Sequence, residues 1–266
     1  MDQEHKLAVV TGGASGIGEA AARRFGSAGY RVVVADVNEE RGKSVARDMQ
    51  QSGAAAEFLR VDVSKEDDVR RFAAEVIERF GVPDALVNSG GILQNAVRLL
   101  EVDVAEIDRL YDINVRGTLL VSRAFAREMC RQGEGAIVNL CSLTTYRPSA
   151  QIGYAVGKAG LKMMTEVMAA EWGPSGVRVN AVAPGYTLTP AMQARIDSGE
   201  RDPQAIIDMS ALKRFVKPAE VADAIFFLCS PGASAITGST LPIDCGWLVR
   251  SAYLAYASQP APQPEA

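Results

Sequence analysis

Tyr154 and Lys158 stand four residues apart in a stretch, Ile152 to Trp172, whose apolar spacing is helical. Their side chains therefore share one face, about one turn apart. A free phenol titrates at about pH 10 and is a poor base at neutral pH. An adjacent ammonium favours the phenolate, and a close opposite charge moves a pKa by about one to three units. That brings a tyrosine into the range useful for general acid–base work. Ser142 follows an upstream apolar run, Ala136 to Leu140, and its hydroxyl can hydrogen-bond the oxygen of a reacting alcohol or ketone.

The other half of such a reaction is written near the N-terminus. The stretch LAVVTGGASGIG, Leu7 to Gly18, reads as a buried strand running into a glycine turn that opens a helix near Ile17. Glycines let the backbone approach a ligand closely, and the helix N-terminus offers unpaired N–H groups and a positive dipole end to a pyrophosphate. The spacing Gly12-x-x-x-Gly16-x-Gly18, with Ser15 and Ile17 between, departs from the G-x-G-x-x-G dinucleotide fingerprint. Asp36 closes the next apolar run, Arg31 to Ala35, where a carboxylate can accept both hydroxyls of an adenosine ribose. Its charge would repel a 2′-phosphate, no Arg or Lys lies in the glycine turn, and Val37 and Asn38 follow Asp36. NAD is therefore expected over NADP, and the positive ring of its oxidised form would further favour the Tyr154 phenolate.

Apolar runs and helical patterns alternate along the chain, the signature of an α/β doubly wound, Rossmann-type parallel sheet. We expect one domain over residues 1–250 with about seven strands and helices on both faces. Further strands are expected at Glu57–Val61, Asp84–Val87, Ala136–Leu140, Arg178–Val182 and Thr240–Ile243. Two long helices are expected, Val104–Arg131 and Ile152–Trp172, with shorter ones at 18–28, 38–52, 65–80 and 218–229. Residues 187–212 hold no strong period and contain Pro190, Gly199 and Pro203; they read as a mobile lid loop with one short helix. The C-terminal extension, 251–266, ends in a proline-rich tail read as disordered, although Trp247–Tyr256 is more aromatic than a tail requires. In such sheets ligands bind outside the carboxyl ends of the strands. Gly12–Gly18, Asp36, Asp62, Asn88–Gly91, Ser142 and Pro184–Thr189 all fall at those ends.

A chain of 266 residues that is 48% hydrophobic can bury one sizeable core. The net charge of −4 is scattered, which argues against a nucleic-acid partner or a basic membrane surface. The polar N-terminus and the lack of a long apolar run make a soluble, cytoplasmic protein the expectation. Cys130, Cys141, Cys229 and Cys245 show no C-x-x-C spacing and read as packing thiols. The single histidine, His5, excludes a histidine triad and leaves no metal site to expect.

At this point the chain resembles the short-chain dehydrogenases/reductases of about 250 residues, over Lys6 to about Trp247. The resemblance rests on Thr11-Gly12-x-x-x-Gly16-x-Gly18, Asp62-Val63, the Asn88 turn, Asn114, Ser142, Tyr154-x-x-x-Lys158 and Pro184-Gly185. It implies Tyr154 as general acid/base, Ser142 as the donor that polarises the carbonyl, and Lys158 holding the nicotinamide ribose and lowering the Tyr154 pKa. It also implies that Asn114 distorts its helix to hold a water in a proton relay, and that Asp62 and Val63 bound the adenine. Asn88 and Gly90 would line the cofactor with Pro184 and Gly185, while Thr187 and Thr189 would touch the carboxamide and pyrophosphate. Three departures, Asn88-Ser89-Gly90-Gly91, Thr187 and Asp244-Cys245-Gly246, remove no catalytic group.

The loop between Ser142 and Tyr154 should face the substrate. Thr144, Arg147 and Gln151 there, with Tyr186 after the Pro-Gly turn, suit a polyol, sugar or other hydroxylated secondary alcohol. Two other readings stand beside this one: a 3-oxoacyl-thioester reductase, against which Asp36 argues, and a non-catalytic dinucleotide-binding sensor or scaffold. The resemblance further implies a homotetramer or dimer built through the two long helices, for which Phe125, Leu161 and Met164 would suit an interface, although core packing explains the same residues equally well.

Overall fold

The computed structural model describes residues 6–256, so the readings of His5 and of the tail from 257 onward lie outside the described residues. Seven strands form one parallel sheet: β1 (Leu7–Thr11), β2 (Arg31–Asp36), β3 (Ala56–Arg60), β4 (Ala85–Asn88), β5 (Gly135–Leu140), β6 (Val177–Pro184) and β7 (Thr240–Ile243). Their order is β3-β2-β1-β4-β5-β6-β7. The chain winds outward from β1 to β3, then returns to place β4 on the other side of β1. The strand order therefore reverses between β1 and β4, and a crevice opens there beyond the carboxyl ends.

Strand residues alternate between two buried faces, which is why the strands read as unbroken apolar runs. Val10, Val34, Val87 and Val138 pack against α1 (Gly16–Ser27), α2 (Glu39–Gln51) and α9 (Pro218–Cys229). Val9, Val33, Leu86 and Ile137 pack against α3 (Glu66–Phe80), α5 (Gly117–Gln132) and α6 (Ile152–Trp172). Edge-to-face rings finish each side, Phe25 with Phe226 at 5.3 Å and Phe72 with Phe125 at 5.8 Å.

The structure departs from the sequence reading in three places. The first long helix is not continuous: α4 (Val104–Leu110) passes into a π-helical segment, Tyr111–Arg116, before α5 begins. The lid carries two short helices, α7 (Pro190–Asp197) and α8 (Pro203–Met209), each with proline in its first turn and a capping side chain, Thr189 or Asp202. The aromatic segment after β7 is a helix, α10 (Trp247–Tyr256). The residues proposed for a subunit contact are also corrected. Phe125 and Leu161 are fully buried, and Met164 packs on the core. The apolar side chains that α6 leaves exposed are Val156, Met163 and Val167.

Candidate active site

A cleft of about 1210 Å³ opens at the carboxyl edge of the sheet. It is lined by the glycine turn, Asp36, Asp62, Val63, Gly90, Ser142, Tyr154, Lys158, Pro184, Gly185 and the start of the lid. The glycine turn is a cradle that side chains would fill. Gly12 has φ of +65°, and a Cβ there would lie 2.7 Å from Gly90 Cα; one on Gly18 would lie 2.1 Å from the Gly12 carbonyl oxygen. Only glycine lets β1, β4 and α1 meet this closely. Ser15 caps α1 without spending its side chain on the helix, so the helix N-terminus and the Ser15 hydroxyl both stay open to the cleft. The set fits a dinucleotide: a helix N-terminus for pyrophosphate and a carboxylate at the end of β2 for a ribose.

Asp36 is held ready by the backbone. It accepts hydrogen bonds from Ala14 N at 3.1 Å and Asn38 N at 2.9 Å. A cation absent from the local sequence pattern also reaches this end. Arg41, in the first turn of α2, donates through Nε to the Ala14 carbonyl at 3.2 Å and pairs with Glu19 at 2.9 Å. Asp62 accepts from Ser64 N and Oγ, at 3.0 and 2.7 Å. Thr189 caps α7 over Gly16, and Thr187 donates to the Gly185 carbonyl at 3.0 Å.

Tyr154 and Lys158 share a face of α6 as their spacing requires, the ammonium 5.5 Å from the phenol ring centre. Ser142, at the end of β5, completes the group and lines the same cleft. Their electrostatics correct the expectation. Burial pushes the Tyr154 phenol up to about 12, against the pull of its hydrogen bond with Ser142. Burial also lowers Lys158 to about 8. Its ammonium donates to the Leu140 carbonyl at 2.5 Å, which anchors it to β5. In the protein by itself desolvation outweighs the help that the Ser142 hydrogen bond gives the phenolate.

Two expected ligand contacts turn out to position the backbone. Asn88 is buried, and its amide donates to Ser122 Oγ and Asn139 Oδ1, both at 2.9 Å. Asn139 donates onward to Thr165 Oγ1 on α6 at 2.9 Å. The side chain of Asn88 thus ties β4 to β5 and the helices behind, and Asn88 is not among the residues that line the cleft. Asn114, in the π segment, spends both ends of its amide on Ile92, accepting from N at 2.8 Å and donating to O at 2.9 Å. The helical distortion is present as expected, and the side chain clamps the loop after β4.

Gln94 went unnoticed in the sequence. It is fully buried, and its Oε1 accepts from Tyr154 N at 3.1 Å, capping the first turn of the helix that carries the phenol. Its own carbonyl accepts from Gln151 Nε2. Part of Gln151, expected on the substrate, is therefore spent on the loop. Thr144 and Tyr186 do line the cleft, and Tyr186 packs against Trp247 with ring centres 5.6 Å apart. No local pattern marks a lone glutamine as a cap for a helix some 60 residues on. Cys141 is buried beside this group with its thiol pushed up by burial, a packing residue as expected.

Residues 12–248 match the family described as enoyl-(acyl carrier protein) reductase. The cis-4-hydroxycyclohexanecarboxylate dehydrogenase of Sinomonas cyclohexanicum is 39% identical over 243 residues, 91% of this chain and 96% of that protein. Glucose 1-dehydrogenase 2 of Bacillus subtilis is 36% identical over 92% of this chain and 95% of its own. A crystal structure of a gluconate 5-dehydrogenase from Burkholderia cenocepacia, in complex with NADP and tartrate, superposes with a TM-score of 0.87 at 30% identity, covering 93% of this chain and 98% of that one. The chain belongs to the short-chain dehydrogenase/reductase family. It is an oxidoreductase of the nicotinamide-dependent kind, and no helix among the described residues is long and apolar enough to cross a membrane.

Two predictions follow from this geometry. Gln94→Met keeps the volume but removes the cap; kcat should fall about tenfold with cofactor Kd unchanged, since small misplacements of a catalytic group are costly. Gln94→Glu keeps an acceptor at a helix N-terminus and should recover part of the loss. Equal losses in both variants would argue for packing alone. Lys158 tests the cost of burial. With a folded value of about 8 against 10.5 unfolded, the unfolded chain binds more protons between those limits. Stability should therefore rise with pH across that window and not fall. At pH 7 the buried charge costs on the order of 3 kcal/mol, so Lys158→Met should stabilise by about 1–2 kcal/mol net of the lost Leu140 bond while abolishing turnover. Urea unfolding at pH 7 and 10 checks both, and a variant less stable at pH 7 refutes the burial argument.

Proposed function

We propose that this protein is an NAD-dependent dehydrogenase of hydroxylated secondary alcohols (polyols, sugars or ring alcohols) and of the corresponding ketones in reverse. The observation that carries the reading is the convergence of Ser142, Tyr154 and Lys158 on one cleft with a glycine cradle and a β2-terminal aspartate. The hydroxylated substrates named for the Sinomonas and Bacillus relatives support the substrate class.

The nicotinamide dinucleotide supplies the hydride acceptor. Gly12, Gly16 and Gly18 would bring the helix N-terminus to its pyrophosphate, and Asp36 would take its ribose hydroxyls. Asp36 disfavours a 2′-phosphate by charge, and the cations recorded near that end are Arg41, already paired with Glu19, and Lys65 on the cleft wall. Tyr154 takes the alcohol proton on its phenol oxygen during oxidation and returns it during reduction. Ser142 donates to the substrate oxygen as charge develops there. Lys158, fixed to the Leu140 carbonyl, places a positive charge beside the phenol and a donor for the nicotinamide ribose.

A second copy of the chain would cover Val156, Met163 and Val167, which form an exposed stripe on α6. Apolar side chains in a row on a solvent face suit an interface between copies. A homotetramer or dimer of a cytoplasmic enzyme is the assembly this reading favours.

Tyr154→Phe should abolish NADH formation from alcohols while leaving NAD binding intact by fluorescence titration; substantial residual turnover would sink the assignment. In the wild type, alcohol oxidation should climb with pH through the alkaline range, since the base form of a phenol raised by burial is scarce at neutrality. Ketone reduction, which uses the protonated form, should fall over the same range. Asp36→Ala removes the negative charge that would repel a 2′-phosphate and should shift the NAD/NADP preference toward NADP by about tenfold or more, as expected for one unpaired charge. An unchanged ratio of kcat/KM would remove Asp36 from the ribose.

A further inference from the structure

The charge lining the cleft is divided. Asp36 and Asp62 face the end near the glycine turn. The α4 wall adds Asp108 and Arg109, which offset one another, and the π segment adds Asp112. The two segments that flank Tyr154 on the substrate side contribute cations alone: Arg147 from the loop after β5, and Arg195 and Arg201 from the lid. These three are only partly exposed, although each is a long side chain on a loop or short helix.

Their guanidinium groups are largely unspent. Arg147 donates to the Leu248 carbonyl at 3.3 Å. Arg195 donates to Asn95 Oδ1 at 2.9 Å, and the exposed Glu200 carboxylate stands 3.9 Å away. The backbone of Arg201 bonds to the Arg195 carbonyl at 3.1 Å, which sets the two side by side in sequence and space. The Arg201 side chain has no hydrogen bond or ion pair among the described residues. A second, independent feature lies in the same walls. Trp247 Nε1 and Thr144 Oγ1 are buried without a hydrogen-bond partner, and both residues line the cleft. An indole N–H can only donate. A buried donor left unpaired costs about 1–3 kcal/mol, and both atoms are occluded in this arrangement, so a ligand acceptor would reach them only with a small side-chain rotation.

We propose that the substrate carries an anionic group, a carboxylate or a phosphate, on the same molecule as the reacting carbinol, received by Arg147, Arg195, Arg201 and the Trp247 indole. This rests on the dehydrogenase reading above and narrows its substrate class. Arginine forks bind both anions bidentately, through charge-assisted hydrogen bonds. The Tyr186–Trp247 ring pair provides an apolar surface for the carbon skeleton between the anion and the hydroxyl.

Matched pairs test it: a hydroxycyclohexanecarboxylate against its primary amide, and a hexitol phosphate against the free hexitol, each assayed with NAD. The anion should exceed its neutral partner in kcat/KM by about tenfold or more, the worth of one charge-assisted hydrogen bond. Whichever pair shows the larger ratio identifies the anion. The ratio should fall several-fold in Arg195→Met or Arg201→Met and in Arg147→Met, and stay in Arg131→Met, a cation at the far end of α5. The KM of the anion should also rise with added salt. Neutral partners used equally well, or a ratio that survives all three cleft variants, would overturn the proposal and leave the dehydrogenase reading standing. If no secondary alcohol turns over, that reading fails instead. Calorimetry of acid and amide against the NADH-loaded protein then decides the anion site separately: tighter binding of the acid sustains it, and equal binding refutes it.

Discussion

The buried ammonium of Lys158 is the constraint on which the site turns. A charge with one carbonyl partner, at a residue only 5% exposed, is an expensive thing to fold around. It is tolerated because the Leu140 carbonyl at the end of β5 fixes it, and because α6 is packed along its length by Leu161, Met168 and Ala169. The same burial lifts the phenol of Tyr154. The pair therefore starts as a neutral acid beside a weakened cation, and only a further positive charge in the cleft moves it toward the base form.

Holding that pair in place needs a frame that does not yield, and buried amides supply much of it. Asn88, Asn139, Ser122 and Thr165 link two central strands to two helices. Asn114 fastens the loop after β4, and that loop presents Gln94 to the first turn of α6. Each bond made here disfavours other arrangements, although Asn88 Oδ1 and Gln94 Nε2 stay buried without a partner. A path of hydrogen bonds and packing thus runs from the π segment to the backbone of Tyr154.

Much of this was legible in the sequence, for definite reasons. Unbroken apolar runs between helical patterns mark a sheet covered on both faces, and α6, α9 and β7 take the bounds that the apolar pattern indicates, with Pro218 opening α9. Glycine spacing and strand-end acids find the cofactor end because those features are local. What the sequence hid is what depends on distant partners. Asn88 and Asn114 look like ligand contacts until the groups they bond are known. Gln94 carries no signal, since its partner lies 60 residues away. Phe125 and Leu161 look equally suited to an interface or a core, and only the packing of α5 on α3 and α6 on the sheet decides for the core.

The division of charge along the cleft has a consequence for how cofactor and substrate share it. Asp36 and Asp62 stand at the β2 and β3 ends, while the charged residues that the lid and the β5 loop contribute to the lining are arginines. A lid that approaches with positive charge is drawn toward whatever anion lies beneath it, and the attraction strengthens as water leaves. Arg195 already reaches across to Asn95 on the loop after β4, so the lid and that loop are joined by a hydrogen bond from a guanidinium to an uncharged amide. An anion seated below would compete for the same guanidinium with a stronger, charge-assisted bond. The loop that Asn95 belongs to is also the one that caps the helix of Tyr154 through Gln94. Substrate charge, lid position and the setting of the catalytic phenol are therefore mechanically connected through one short stretch of chain, Ile92 to Asn95.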